Sequence, residues 1–294
     1  MPLNDTLARP LRDLRISVLD RCNLRCTYCM PEESLHARGV FLRPQYLLSD
    51  GEIELLVRVF ARLGVHKVRL TGGEPLLRPG FVELVSRIST IEGIKDLALT
   101  TNAVLLPRHA EALKEAGLVR ITVSLDSLDE AVFRQMAGNR GSVDEVFDGI
   151  KAAETAGFGN LKINTVVQRD INDHTVMDLV GYFRNTGHTV RLIEFMDVGN
   201  VNHWDRKLVV PSADLLKLIH DRWPVRPVAE QPLGETARRY AFEDGAGEIG
   251  FISSITEPFC GDCSRARITA EGLFYSCLFS AKGTVLRDKI RDGM

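Results

Sequence analysis

The residues of this chain best suited to chemistry are its six cysteines, which fall into two trios. Cys22, Cys26 and Cys29 form a C-x3-C-x2-C run, and Cys260, Cys263 and Cys277 form C-x2-C-x13-C, with no cysteine between the two sets. Three thiolates this close can hold three irons of a four-iron cluster and leave the fourth iron without a protein ligand. An open iron can chelate a small molecule and pass it an electron. A cluster with four cysteine ligands offers no such position. A zinc site completed by a histidine or a water is the alternative for either trio, although no His-x3-5-His follows the first. For Cys260-Gly-Asp-Cys263 a redox C-x-x-C is a further alternative, disfavoured by the third cysteine and the lack of a thioredoxin-like βαβ context.

Basic residues on otherwise apolar strand patterns are the second signal. Arg15 interrupts the run Leu14–Leu19, Lys67 and Arg69 interrupt Val65–Thr71, and Lys162 and Arg191 do the same in two later runs. Such groups are costly on barrel strands unless they face a polar cavity with an anionic partner. Arg265 and Arg267 follow Cys263, and their spacing puts both guanidiniums on one side of a strand. Forked guanidiniums grip oxyanions bidentately, which suits a phosphate-bearing substrate. A solvated edge is the plainer reading of that pair alone. In Thr71-Gly72-Gly73-Glu74-Pro75 the glycines let backbone approach a ligand, though in isolation this is a strand-to-helix turn. Ser124 and Met196, at strand ends, are on their own a locally bonded serine and a core methionine.

The elements that must position these residues alternate in type. After the strand Leu14–Leu19, Ser49 opens a helix with a capping-box signature completed by Glu52. Its apolar stripe is Ile53, Leu56, Val57, Phe60 and Leu63, and Gly64 ends it. Strands follow near Val65–Thr71, Asp96–Thr101, Val119–Leu125, Leu161–Val167 and Thr189–Phe195. Helices lie between them near Phe81–Thr90, Pro107–Ala116, Val143–Ala156 and His174–Asn185. This alternation predicts an α/β fold with right-handed crossovers and a parallel sheet. Six units make either an open partial barrel or a flat doubly wound sheet, and periodicity does not choose between them. Beyond Pro211 two hairpins replace the alternation: Arg239–Glu243 with Glu248–Ile255, and Arg267–Thr269 with Leu273–Ser276. The expected division is a domain over 1–210 and a smaller β-rich domain over 211–294.

Bulk properties set the context. The 294 residues are 45% hydrophobic and 26% charged, ordinary values for a globular chain. A net charge of −2 argues against a general polyanion-binding surface, and so against nucleic acid, while allowing a local basic pocket. The first fifteen residues lack an apolar signal region, and no apolar run approaches membrane-span length, so the expected location is cytoplasmic. Six cysteines there read as metal ligands or catalytic groups rather than disulfides.

The cysteine run after the first strand, with Tyr28 before its last member, resembles the radical S-adenosylmethionine superfamily. That resemblance implies an open six-unit βα barrel. It also implies a [4Fe-4S] cluster on Cys22, Cys26 and Cys29, with S-adenosylmethionine contacted by Tyr28, Gly73, Ser124 and Met196. The segments LRISV, KVRLTGGEP, TTN, KINTV, RLIEFM, C-x2-CSRAR and C277-L-F together resemble the GTP 3′,8-cyclase family of molybdenum cofactor biosynthesis. This implies a second [4Fe-4S] cluster on Cys260, Cys263 and Cys277, whose open iron contacts guanine. GTP contacts are implied at Arg15, Arg69, Thr100, Lys162, Arg265, Ala266 and Arg267, with Lys67 and Arg191 facing the same channel.

The implied reaction removes the ribose 3′ hydrogen of GTP with a deoxyadenosyl radical, joins C3′ to C8, and ends, after reduction and protonation, in 3′,8-cyclo-7,8-dihydro-GTP. Implied partners are a reductant such as flavodoxin or ferredoxin, a downstream cyclic pyranopterin monophosphate synthase, and a second copy in a homodimer. Two departures stand out: Ala103 occupies a position where the family usually has glycine, and the sequence ends at Met294, short of the family's usual Gly–Gly tail. The second predicts impaired turnover, tested by adding a tail peptide. A radical maturase with an auxiliary cluster, or a non-catalytic iron–sulfur electron carrier, are the competing readings.

Overall fold

The computed structural model describes residues 4–30, 41–197, 204–231 and 234–293. Six strands, β1 (Asp13–Ser17), β2 (Lys67–Thr71), β3 (Asp96–Thr101), β4 (Arg120–Ser124), β5 (Lys162–Val167) and β6 (Thr189–Glu194), lie side by side in chain order, all parallel. Helices α1 (Asp50–Arg62), α2 (Phe81–Ser89), α3 (Ala110–Glu115), α4 (Glu130–Met136), α5 (Val143–Thr155) and α6 (Val176–Phe183) fill the crossovers. The capping box forms as expected: Glu52 N–H donates to Ser49 Oγ at 3.3 Å and Ser49 N–H to Glu52 Oε2 at 2.7 Å. Ile53, Leu56, Val57 and Phe60 are buried beneath α1, whereas Leu63, its C-cap, is partly exposed. The short α4, capped by Asp129, is an element that the sequence pattern did not reveal; seven residues carry too little periodicity.

The C-terminal hairpins form, but they do not build a sheet of their own. The remaining elements are α7 (Ser212–Arg222), β7 (Val225–Pro227), β8 (Arg238–Phe242), β9 (Glu248–Ile252), β10 (Arg265–Ile268), β11 (Leu273–Tyr275), β12 (Thr284–Val285) and α8 (Arg287–Arg291). β9 joins β6 in parallel and β10 joins β1 in parallel, each bringing its antiparallel partner. The result is one twelve-stranded sheet, β12-β11-β10-β1-β2-β3-β4-β5-β6-β9-β8-β7. This covers the outer edges of β1 and β6, whose backbone groups would otherwise stand unpaired.

Along β1, β2 and β5 burial alternates strictly. Leu14, Ile16, Val68 and Leu70 belong to the apolar core, which the helices cover. The opposite face looks into a cavity of about 520 Å³, lined by side chains from all eight parallel strands. Laid flat, eight strands would span roughly 34 Å, far wider than such a cavity. The sheet therefore curls around it as an open barrel. Ala103 follows β3 fully buried with φ +68°, so it adopts the left-handed turn that glycine would take. Among the described residues no helix is long and apolar enough to cross a membrane.

Candidate active site

Parallel strands present their C-terminal ends at one mouth of the barrel. There stand the Cys22–Cys29 loop after β1, Gly73 after β2, Ser124 at the end of β4 and Met196 after β6. Backbone contacts fasten the loop. Gly73 N–H donates to Leu19 O at 2.8 Å, Glu74 N–H to Arg21 O at 2.7 Å, and Thr27 N–H to Met136 O at 2.9 Å. A Cβ on Gly73 would sit 2.1 Å from Arg21 O, so this approach requires glycine. Glu74 is buried and accepts from Thr101 Oγ1 at 2.8 Å, Asn102 N–H at 2.9 Å and Leu76 N–H at 3.1 Å, which holds the segment to the end of β3. Tyr28 donates its hydroxyl to Asp126 Oδ2 at 2.7 Å, and burial raises the Asp126 carboxyl to about 6.

The first trio suits a multi-iron group. Burial pushes the Cys22 and Cys26 thiols up, and for Cys26 the charges of Asp126, Cys29 and Cys22 add to the effect. These thiols ionise together only beside a compensating cation. Among the described residues no His, Cys, Asp or Glu groups converge tightly enough for a single metal ion. A cluster that gives each thiolate its own iron tolerates the wider spread.

The second trio occupies the other mouth. Cys260 and Cys263 precede β10, which runs parallel to β1, and Cys277 follows the antiparallel β11. All three line the cavity. Arg265 Nη2 donates to Cys263 Sγ at 3.1 Å, with its guanidinium 4.9 Å above the Phe259 ring, and Arg9 Nη1 donates to Cys260 O at 2.6 Å.

Between the two mouths the walls are strongly cationic: nine arginine and lysine side chains against two carboxylates, Asp13 and Glu235. Arg15 pairs in register with Arg267 on one side and Arg69 on the other, a row of three guanidiniums on adjacent strands. Like charges opposite one another, about 5 Å apart at the backbone, destabilise a sheet. Burial lowers the affinity of all three for their protons, Arg69 and Arg267 to about 9, with Arg15 the next cause in both. It also brings Arg191 to about 10 and Lys162 to about 7. Arg69 Nη1 is held by Thr100 Oγ1 at 3.1 Å and Thr122 Oγ1 at 2.9 Å. Arg15 Nε, Asn164 Oδ1 and Ser254 Oγ are buried without hydrogen-bond partners. Such a wall is completed by a polyanion.

The cavity unites Arg15, Lys67, Arg69, Thr100, Lys162, Arg191, Arg265, Arg267 and Met196 with the second trio. The first trio, Tyr28, Gly73 and Ser124 share the C-terminal mouth but do not line it. Ala266 lies in the core against Leu14, so only its backbone is available to a ligand. The sequence pattern missed Arg120, which opens β4 and pairs with Asp96; the same basic-on-apolar-strand criterion would have found it. It also missed Arg9 and Asn164, for which no periodic signal exists.

Comparison with known proteins places the site in context. Residues 16–183 match the model of the radical SAM superfamily, and residues 188–294 match Molybdenum Cofactor Synthesis C. The GTP 3′,8-cyclase of Xanthomonas campestris pv. campestris (strain B100) is 54% identical over 292 residues, covering 99% of this chain and 86% of the relative. The GTP 3′,8-cyclase of Aquifex aeolicus (strain VF5) is 47% identical over 288 residues, covering 98% and 88%. Among solved structures, Streptococcus suis SuiB bound to S-adenosylmethionine superimposes with TM-score 0.69 at 17% identity, over 95% of this chain and 64% of that one. At that identity the likeness speaks for the fold alone.

Proposed function

The chain belongs to the GTP 3′,8-cyclase family of the radical S-adenosylmethionine superfamily, and from that premise we propose that it converts GTP to (8S)-3′,8-cyclo-7,8-dihydroguanosine 5′-triphosphate, the first step of molybdenum cofactor biosynthesis. One observation carries this reading beyond kinship: the Arg267–Arg15–Arg69 row, which lies between two thiol trios, one beyond the C-terminal end of β1 and the other at the N-terminal end of its parallel neighbour β10.

In this reading Cys22, Cys26 and Cys29 hold a [4Fe-4S] cluster, with Tyr28, Gly73, Ser124 and Met196 around S-adenosylmethionine. That pair, when bound, supplies the radical chemistry at the ribose. Cys260, Cys263 and Cys277, in the segment from residue 211 onward, hold a second cluster facing the guanine. Arg15, Arg69, Lys162, Arg265 and Arg267 hold the GTP, with its ribose between the two mouths, and Thr100 orients Arg69. The surrounding strands exclude water from a reactive intermediate. Hydrogen abstraction needs no protein acid or base, and none is assigned. The same reading implies a cytoplasmic homodimer, an electron-donor protein such as flavodoxin or ferredoxin, and cyclic pyranopterin monophosphate synthase as consumer of the product.

The test is an anaerobic assay of the iron-reconstituted chain with GTP, S-adenosylmethionine and dithionite. Deoxyadenosine should appear in step with loss of GTP. Deoxyadenosine formed without GTP consumption, or none at all, would overturn the assignment.

A further inference from the structure

Asp13 is out of place in a cavity built for anions. It opens β1, on the same face as Arg15, and pairs in register with Arg265 on β10 and Lys67 on β2. Its Oδ1 is buried without a hydrogen-bond partner. Its register partner Arg265 spends its Nη2 on Cys263 Sγ, and Arg15, Arg69 and Arg267 feel its charge without a hydrogen bond to that oxygen. The cavity's other carboxylate, Glu235, also has a buried oxygen without a hydrogen bond, but that oxygen lies within ion-pair distance of Arg239, at 3.4 Å. The neighbouring guanidiniums of Arg15, Arg69 and Arg267 stabilise the carboxylate's charge, but the hydrogen-bonding capacity of this buried oxygen goes unused. An acceptor kept waiting in this way suits a ligand that brings its own N–H or O–H donor.

Its location identifies which part of the ligand. Asp13 N–H donates to Ser264 O at 3.0 Å, so the residue is fastened beside Cys263 at the mouth that holds the second trio. On the functional reading above, on which this inference rests, that mouth receives the base, and the ribose lies between it and the opposite mouth. Guanine differs from hypoxanthine only in the amino group at C2, and adenine has no donor at that edge. We propose that Asp13 accepts a hydrogen bond from the 2-amino group of the purine, and so acts as a specificity residue that selects guanine nucleotides over those lacking a donor there.

Calorimetric titration of the cluster-reconstituted chain with GTP and with ITP tests this, because ITP lacks only that amino group. The wild-type chain should bind GTP at least about tenfold more tightly than ITP, as expected for a bond to a charged acceptor. Asp13→Ala should erase the preference by weakening GTP binding, while ITP binding holds or tightens as one negative charge leaves. Asp13→Asn, which keeps an acceptor oxygen, should retain part of the preference. If Asp13 serves only to offset its arginine neighbours, both nucleotides shift together and the ratio is preserved. A preserved ratio in Asp13→Ala, or no preference in the wild type, would refute the assignment. The ratio is insensitive to uniform damage from misfolding. Failure of the wild type to bind either nucleotide would instead overturn the underlying functional reading.

Discussion

Lys162 is the wall cation whose charge is most easily lost. Burial, reinforced by Arg191 and Arg120, brings its ammonium to about 7. A bound triphosphate favours the charged form and raises that value, so above pH 7 binding must draw a proton from solvent. GTP affinity should therefore fall as pH rises through 7 to 9. Titration in two buffers of different ionisation heat measures the proton uptake at pH 8, and Lys162→Met should remove most of it. Lys162 and the arginine row were legible because a charge within a β-branched run stands out against its neighbours. The Tyr28–Asp126 bond was not, since its partners lie 98 residues apart and neither breaks a local pattern. Asp13 was equally hidden. A lone acid at the start of a strand resembles an ordinary solvated end, and only its burial without a partner sets it apart.

The elements are tied together by carboxylates at strand ends as much as by apolar packing. Glu194 closes β6 and accepts from Ser212 N–H at 2.9 Å, Ile255 N–H at 2.8 Å and Thr256 N–H at 2.9 Å, joining β6 to the start of α7 and to the segment after β9. Burial alone would raise its pKa, but the bonds from Thr256, Ser212 and Ile255 outweigh it and hold the carboxyl below its ordinary value. With the folded value depressed, the stability it contributes is complete above the unfolded carboxylate value near 4.3 and is lost as pH falls through the folded one. Glu194→Gln should destabilise the fold by about 1–3 kcal/mol at pH 7, and by less as the medium is acidified toward pH 3. Denaturant melts at the two pH values measure the difference. The strands and most helices were legible from period and caps, Ser49 with Glu52 most clearly. The joining of β9 to β6 and β10 to β1 was not, because a pairing between distant segments leaves no mark on either one. For that reason the hairpins read as a separate small unit rather than as the flanks of the barrel.

On the scale of the whole molecule, the two thiol trios stand at opposite ends of strands five residues long, about 17 Å of extended chain. Groups that far apart with no shared side chains should act nearly independently in binding. Cys26→Ala should abolish S-adenosylmethionine cleavage yet change GTP affinity less than about threefold, whereas Cys263→Ala should weaken GTP binding while sparing cofactor affinity. Calorimetry with each ligand on each variant separates the cases; parallel losses in both would show that the mouths are coupled. The sheet order also bears on synthesis. β1 is made early, but its neighbour β10 leaves the ribosome about 250 residues later. Until then one flank of the first strand is bare and the guanidinium-lined interior stands open to solvent. Nascent chains should thus depend on protection from aggregation until β10 has been made.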